Sequence, residues 1–328
     1  MKKVLVEQGG EMPPALVGAT LSCMEVALHA KGLKSGQAAS QAEWLQQQET
    51  ADVTRLAEDA QFGLFLFGGE DQDNNPTSTL LVFYVQERRW RKPSSGGRTP
   101  SKRSRHSASV VIAGQRRQQQ LLIFGGVGAT NAVSLLDSVT NEWSHPPTCS
   151  KPGEKEKAKR RARKEKKSEE SVSDSLLPCA RFGHSAAVDE RRLLVFGGAD
   201  FKGPLDDLYE LNMAVTPMEW SRPETRGMPP PPSAKHACAV CRDHMIILSG
   251  EKEWGGHLWA LQLRHSLTWF RSTLPSFPLL GTSGFTIQPY VTPRPHKRAE
   301  IFIFGGYMEA VGGRASEVCS TPCLLSPR

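Results

Sequence analysis

No apolar stretch in this chain approaches the roughly 20 residues that a bilayer-crossing helix needs. Met1, Lys2 and Lys3 lead into VLVEQGGEMPP, too short and too soon polar for a secretory core. Cysteine is sparse and odd in number: Cys23, Cys149, Cys179, Cys238, Cys241, Cys319 and Cys323 are scattered over 328 residues. That usage speaks against a disulfide framework and for reduced thiols, so we expect an intracellular protein, cytoplasmic or nuclear, with no membrane association. Tyrosine is scarcer still, at Tyr84, Tyr209, Tyr290 and Tyr307. No glycine-rich phosphate loop, nucleophile elbow or paired-carboxylate motif occurs. The net charge of +7 is not spread over the chain: residues 151–170 hold ten Lys/Arg against five Glu, which is +5 and leaves +2 for the rest. A globally basic, nucleic-acid-binding surface therefore does not follow from the charge.

What the chain does have is a short apolar run ending in glycine, five times over. The runs are LFLFGG at 64–69, LLIFGG at 121–126, LLVFGG at 193–198, MIILSG at 245–250 and IFIFGG at 301–306. The last glycines are 57, 72, 52 and 56 residues apart, the scale of a repeated supersecondary unit. Trp90, Trp143, Trp220 and Trp269 follow at 21, 17, 22 and 19 residues after Gly69, Gly126, Gly198 and Gly250. Between glycine and tryptophan lies a short alternating segment such as Asp207 to Leu211, as a half-buried strand alternates. Upstream of three runs comes another element, SRHSASVV, ARFGHSAAV and AKHACAV, with a basic residue before a histidine. SGFTIQPYV at 283–291 is a fourth version with Phe285 in the histidine's place.

Each unit thus offers four short strands. A twisted four-stranded sheet with two apolar faces must be sandwiched between neighbours. Radial repetition about an axis achieves this and leaves only short edges.

At these residues the chain resembles the kelch-repeat family, whose units are blades of an all-β propeller. The marks carried are Gly68, Gly69, Gly125, Gly126, Gly197, Gly198, Gly250, Gly305 and Gly306, the strand-three aromatics Tyr209 and Trp259, and the outer tryptophans. The pattern departs at Leu81 and at Val133 or Ser134, which replace the aromatic, and at Ser249, which replaces a glycine; no tryptophan follows Gly306. We expect a propeller over 61–328, with residues 1–60 either a decayed first blade or a closing segment. Gly9–Gly10 and Trp44 would mark a sixth copy; the alternative is that this stretch supplies an edge strand. Six blades are the favoured count, with Ser316 to Cys319 a candidate third strand of the last.

Residues 151–175 form a low-complexity basic insertion, solvated and either irregular or helical over 154–169. Lys159, Arg160, Arg161, Arg163 and Lys164 make its basic patch, which lacks the interleaved aromatics that single-strand binders stack on. Arg88 to Arg105 reads as a second basic linker, open to phosphorylation or acidic partners, and Pro229 to Pro232 as a stiff spacer. His236, Cys238, Cys241 and His244 invite a zinc reading, but the repeat register puts the cysteines on a strand, where a spacing of three points them to opposite faces. Recurrent histidines read as structural, because a catalytic group has no reason to recur in each unit. We therefore expect no catalytic, cofactor or metal residues.

The resemblance implies a non-enzymatic protein-interaction module that binds through loops at one propeller face, including a ubiquitin-ligase substrate receptor as one role. Candidate contacts are Glu70, Asp71, Asp73, Asn131, Asp200, Lys202, Glu251 and Glu253, in the loops after the glycine pairs. The alternatives are a metal-dependent enzyme of the same fold and a nuclear protein contacting nucleic acid through 151–170.

Overall fold

The apolar runs that end in glycine become the second strands of antiparallel sheets, and the interior ones are covered on both faces. The computed structural model describes residues 9–10, 19–26, 61–113, 118–128, 131–151, 177–249, 257–273, 282–291, 299–308 and 323–325. Sheet I holds β1 (Gly9–Gly10), β2 (Thr20–Val26), β3 (Gln61–Phe67), β4 (Leu80–Tyr84) and β5 (Arg89–Arg91), in the order β1-β5-β4-β3-β2. Sheet II repeats that order with β6 (Gly96–Gly97), β7 (Ser107–Ala113), β8 (Gln118–Phe124), β9 (Val133–Asp137) and β10 (Glu142–Ser144). Sheet III contains β11 (Thr148–Ser150), β12 (Ser185–Asp189) and β13 (Arg192–Phe196). The small hairpin β14 (Ala199–Asp200) and β15 (Gly203–Pro204) follows, and β16 (Leu208–Asn212) and β17 (Met218–Ser221) complete the sheet. Sheet IV is β18 (Ala237–Cys241), β19 (His244–Leu248), β20 (His257–Gln262) and β21 (Thr268–Thr273); sheet V is β22 (Thr282–Val291), β23 (Ala299–Met308) and β24 (Cys323–Leu325).

The first strands lie side by side, β2 next to β7, then β12, β18 and β22, so the sheets follow one another around a common axis. A fifth strand edges sheets I to III. The segment leading into each first strand pairs parallel with the outer, tryptophan-bearing strand: Gly10 with Trp90, Gly97 with Trp143 and Ser150 with Trp220. In sheet IV a single bridge, Arg226 to Thr268, takes that place. Gly9–Gly10 therefore sit at an edge, and residue 44 lies outside the described residues. In sheet V the strand pairing with β23 is Cys323–Leu325; residues 316–319 lie outside the described residues, as do 152–176 with the basic patch. Arg88 to Arg105 is more than a linker, since it contributes β5 and β6.

Consecutive sheets share apolar cores. Phe65, Phe67 and Val82 of sheet I meet Leu121, Ile123 and Trp143 of sheet II; Leu122 and Phe124 meet Val195, Leu211 and Trp220; Leu194 and Phe196 meet Ile247, Leu261 and Trp269. Each junction has the same ring geometry. The phenylalanine before the glycines packs between the next sheet's histidine and its tryptophan: Phe67 lies 5.5 Å from His106 and 5.1 Å from Trp143. For Phe124 the partners are His184 at 5.3 Å and Trp220 at 5.1 Å, and for Phe196 they are His236 at 5.4 Å and Trp269 at 5.5 Å. Edge-to-face and tilted pairs at these distances add to the area they bury.

The glycines are required by this contact. At Gly125, φ is +64°, and a Cβ would stand 2.6 Å from both the Arg181 carbonyl oxygen and the His184 ring. Gly126 faces the other way, onto His106 of its own sheet, where a Cβ would approach the His106 Cβ to 2.9 Å. The pair is thus clamped between two histidines, one from each side of the junction. In sheet V, Gly305 and Gly306 instead lie inside the long strand β23, with Gly305 opposite Phe285.

A candidate protein-interaction face

The loops after the glycine pairs and the segments entering the next sheet are stitched into one surface. The second glycine donates its N–H to a carbonyl three residues before the next histidine: Gly69 to Arg103 at 2.9 Å, Gly126 to Arg181 at 2.8 Å and Gly198 to Ser233 at 2.9 Å. Nearer the axis, Lys235 N–H donates to Gly183 O at 2.7 Å and Gly183 N–H to Arg105 O at 2.8 Å. These three residues share one left-handed backbone position, each immediately before its histidine. Basic side chains of the supposed linker, Lys102 and Arg105, accordingly stand on the same face as the acidic loops. The hydrogen bonding between loop and linker interleaves acidic and basic side chains on one surface.

The candidate contacts divide on this face. Glu70 is buried, and its carboxylate accepts from Ser104 Oγ at 2.6 Å and pairs with Arg105 at 3.5 Å, so it binds the next sheet. Asp71 folds its own loop by accepting from the N–H of Asp73 at 3.0 Å and of Asn75 at 2.9 Å. That leaves Asp73 exposed, while Asn131 is half-buried. Glu251 and Glu253 lie outside the described residues, with Gly250. Asp200 accepts from the N–H of Lys202 at 2.7 Å and of Gly203 at 3.1 Å, closing the two-residue turn of the β14–β15 hairpin. The hairpin's base is held by paired bonds between Phe182 and Ala199 and by Leu205 N–H to Gly198 O.

At the tip of that hairpin stands a residue that the sequence reading included in its 200–203 loop without singling it out. Phe201 is 91% exposed, with the Lys202 ammonium 5.3 Å from its ring centroid. Its signal was there to read, an aromatic between the turn-forming Asp200 and Gly203 in a loop already marked as variable. A second feature it did not show is an apolar cleft of about 50 Å³ between sheets II and III, lined by Val111, Ile112, Leu135, Met213 and Met218 with Gln120 and Arg191.

The residues that invite chemistry are committed to the junctions. His106 Nε2 lies 2.8 Å from Thr20 Oγ1, His184 Nε2 2.8 Å from Ser107 Oγ, and His236 Nε2 3.3 Å from Phe196 O. Burial lowers the His106 pKa to about 3, with Arg103 adding to the effect, and lowers His236 to about 4. His184 falls well below the ordinary range for the same reason, helped by Arg181 and the neighbouring histidines. All three are neutral in the folded protein. Cys238 and Cys241 sit on β18; the Cys238 thiol lies 3.3 Å from Ala186 O, and burial pushes it up to about 12. Arg181 is buried beneath the face, paired bidentately with Asp207 at 2.5 and 3.0 Å and placed 5.2 Å from the Tyr209 ring centroid. Burial opposes its charge, but Asp207 and Cys179 together outweigh burial and raise its pKa.

Comparison with known proteins gives the same repeats a family. An acyl-CoA-binding domain-containing protein 4 of Arabidopsis thaliana is 42% identical over 74 residues, 22% of this chain and 11% of the relative. A leucine-zipper-like transcriptional regulator 1 homolog of Drosophila melanogaster is 28% identical over 139 residues, 39% and 13% of the two chains. The serine/threonine-protein phosphatase BSL2 of Arabidopsis thaliana is 36% identical over 77 residues, 23% and 8%. The matched stretches thus span roughly a tenth of these relatives' lengths. The solved structure of YjhT superposes on 80% of this chain and 81% of its own, with a TM-score of 0.49 and 12% identity. The profile of the KLHDC2/KLHL20/DRC7 Kelch-repeats domain matches residues 58–306, from the sheet I glycine run to the last glycine pair, and with that span the chain belongs to the kelch-repeat family.

Proposed function

We propose that this chain is a non-enzymatic protein-interaction module that engages its partner through the loop face, with Phe201 as the anchor. The observation that carries the reading is the Phe201 hairpin: a large apolar side chain held in water by a turn that fixes its direction. Exposed aromatics on rigid supports are the residues that dominate interface energetics, and loops on a rigid scaffold are where binding concentrates. The relatives support it too. Proteins named as a phosphatase and as an acyl-CoA-binding domain-containing protein are similar to this chain over only 77 and 74 residues, so the relatives do not point to one chemistry. His106, His184, His236 and Cys238, which would otherwise invite chemistry, are already held in the junctions.

Phe201→Asp tests this. Captured partners should fall at least tenfold while the unfolding temperature stays within about 1 °C, since a fully exposed side chain contributes little to stability; unchanged capture would remove Phe201 as the anchor. As a finer reading, we place the module as substrate receptor of a ubiquitin ligase in the cytoplasm or nucleus. Recovery of a cullin and its adaptor with the tagged protein supports that role, and their absence from the recovered proteins removes it.

A further inference from the structure

Arg103 and Arg181 hold one position in two consecutive sheets, three residues before a junction histidine, and are only 3% and 1% exposed. Their bonds correspond one to one. Each Nη1 donates to the carbonyl of its sheet's first glycine, Gly125 at 3.2 Å and Gly197 at 3.0 Å. Each Nε donates to the carbonyl two residues upstream, Ser101 at 3.0 Å and Cys179 at 3.3 Å. Each Nη2 donates to that same residue's side chain, Ser101 Oγ at 3.0 Å and Cys179 Sγ at 3.4 Å.

The two differ in counter-charge. Arg181 has Asp207, immediately before β16; the residue in the same register before β9 is Ala132. Among the described residues no carboxylate pairs with Arg103. The nearby Glu70 is bonded to Ser104 and Arg105 instead. Burial lowers the Arg103 pKa, and among the described residues no anion opposes it. A buried charge left without a partner is costly.

We propose that Ser101 is a phosphorylation site whose phosphate becomes the counter-anion of Arg103. The serine is exposed on the segment entering sheet II, and its hydroxyl already meets the guanidinium. Arg98 three residues before it and Lys102 one after suit a kinase that reads basic residues. In the transfer, Ser101 Oγ attacks the γ-phosphorus of ATP and forms the O–P bond. The bond from that phosphorus to the bridging oxygen breaks, ADP leaves, and the hydroxyl proton passes to the kinase's base. The product carries a charge of about −1.5 to −2 and three acceptor oxygens, the geometry an arginine fork binds bidentately. It gives sheet II the ion pair that sheet III has built in, and it offsets most of the positive charge that Lys102 and Arg105 bring to the loop face.

The experiment uses the full chain, unmodified and with phosphoserine encoded at position 101. In phosphorus NMR titration the second phosphate pKa should fall clearly below its ordinary value of about 6, and the unfolding temperature should rise by about 2–4 °C. Arg103→Gln should return the phosphate pKa to its ordinary value. Where that variant does not fold, Arg103→Lys, which keeps a charge but loses the fork, should return part of the shift. A kinase preferring basic flanks should label Ser101 in the folded unmodified chain, read by mass spectrometry. An unshifted phosphate pKa, or no label at Ser101, would overturn the proposal. Neither outcome involves a protein partner, so this test stands apart from the loop-face reading.

Discussion

At the three junctions from sheet I to sheet IV the same parts meet, phenylalanine and glycines from one side, histidine and tryptophan from the other. After sheet IV those parts are gone together. Leu248 and Ser249 stand in place of phenylalanine and the first glycine, and Ala237 stands in the register of Thr20, Ser107 and Ser185. Phe285 takes the register of the histidine. The difference teaches that the junction is one unit. The half-buried hydroxyls Thr20 Oγ1 and Ser107 Oγ pair with the buried imidazole of the following histidine, so losing the hydroxyl alone would leave a buried ring nitrogen unpaired. Exchanging hydroxyl for alanine and histidine for phenylalanine avoids that cost.

The largest expected effect that sharpens this comparison is acid unfolding. The three junction histidines have folded pKa values below the unfolded value near 6.5. The unfolded chain therefore binds more protons, and stability, full above about pH 6.5, falls as the pH drops toward 4. Linkage gives a slope of up to about 1.4 kcal/mol per pH unit for each histidine. The unfolding midpoint in urea, followed from pH 7 to 4.5, should move steeply to lower denaturant. His184→Gln should flatten that dependence by about a third; an unchanged slope would mean the histidines are not the titrating groups.

Next in size is the outer tryptophan. Trp220 is fully buried against Phe124, and Trp220→Ala should cost about 3–5 kcal/mol in denaturant unfolding. Trp90 contacts Phe83 of its own sheet and is only half-buried, so Trp90→Ala should cost less than half as much. Equal losses would show that the outer strands of sheets I and III are packed alike. Asp207→Asn leaves the Arg181 charge buried with a weaker partner and should cost about 3 kcal/mol. Smaller still, Gly125→Ala forces a Cβ against the Arg181 carbonyl at a left-handed position and should cost about 2 kcal/mol. Gly203→Ala, left-handed with nothing within 4 Å, isolates the conformational part and should cost about half that.

Period and pattern made much of this legible in the sequence. The glycine runs, the tryptophan spacing and the histidine-bearing segments fall on β3, β8, β13 and β19, on the outer strands and on the first strands β7, β12 and β18, because each is a local signal of strand and turn. What stayed hidden depends on pairing over long separations. Thr20–Val26 lacks the histidine that precedes β7, β12 and β18, and it pairs with β3 across residues 27–60. Gly9–Gly10 look like a glycine pair, yet their place is set by hydrogen bonding to β5. Glu70 looked like a loop acid, and only the neighbouring sheet shows its carboxylate to be bound inward. Phe201 lies in a loop the sequence marked, but its exposure is set by the hairpin's projection and not by the residue type.

The most direct test of the account is quantitative affinity purification from cells, comparing the wild-type chain with two variants. One carries Phe201→Asp and Lys202→Glu at the hairpin tip; the other lacks residues 152–176. The account predicts that the hairpin variant loses the captured protein partners while the deletion keeps them. Partners that survive the hairpin change and vanish with the insertion would contradict it.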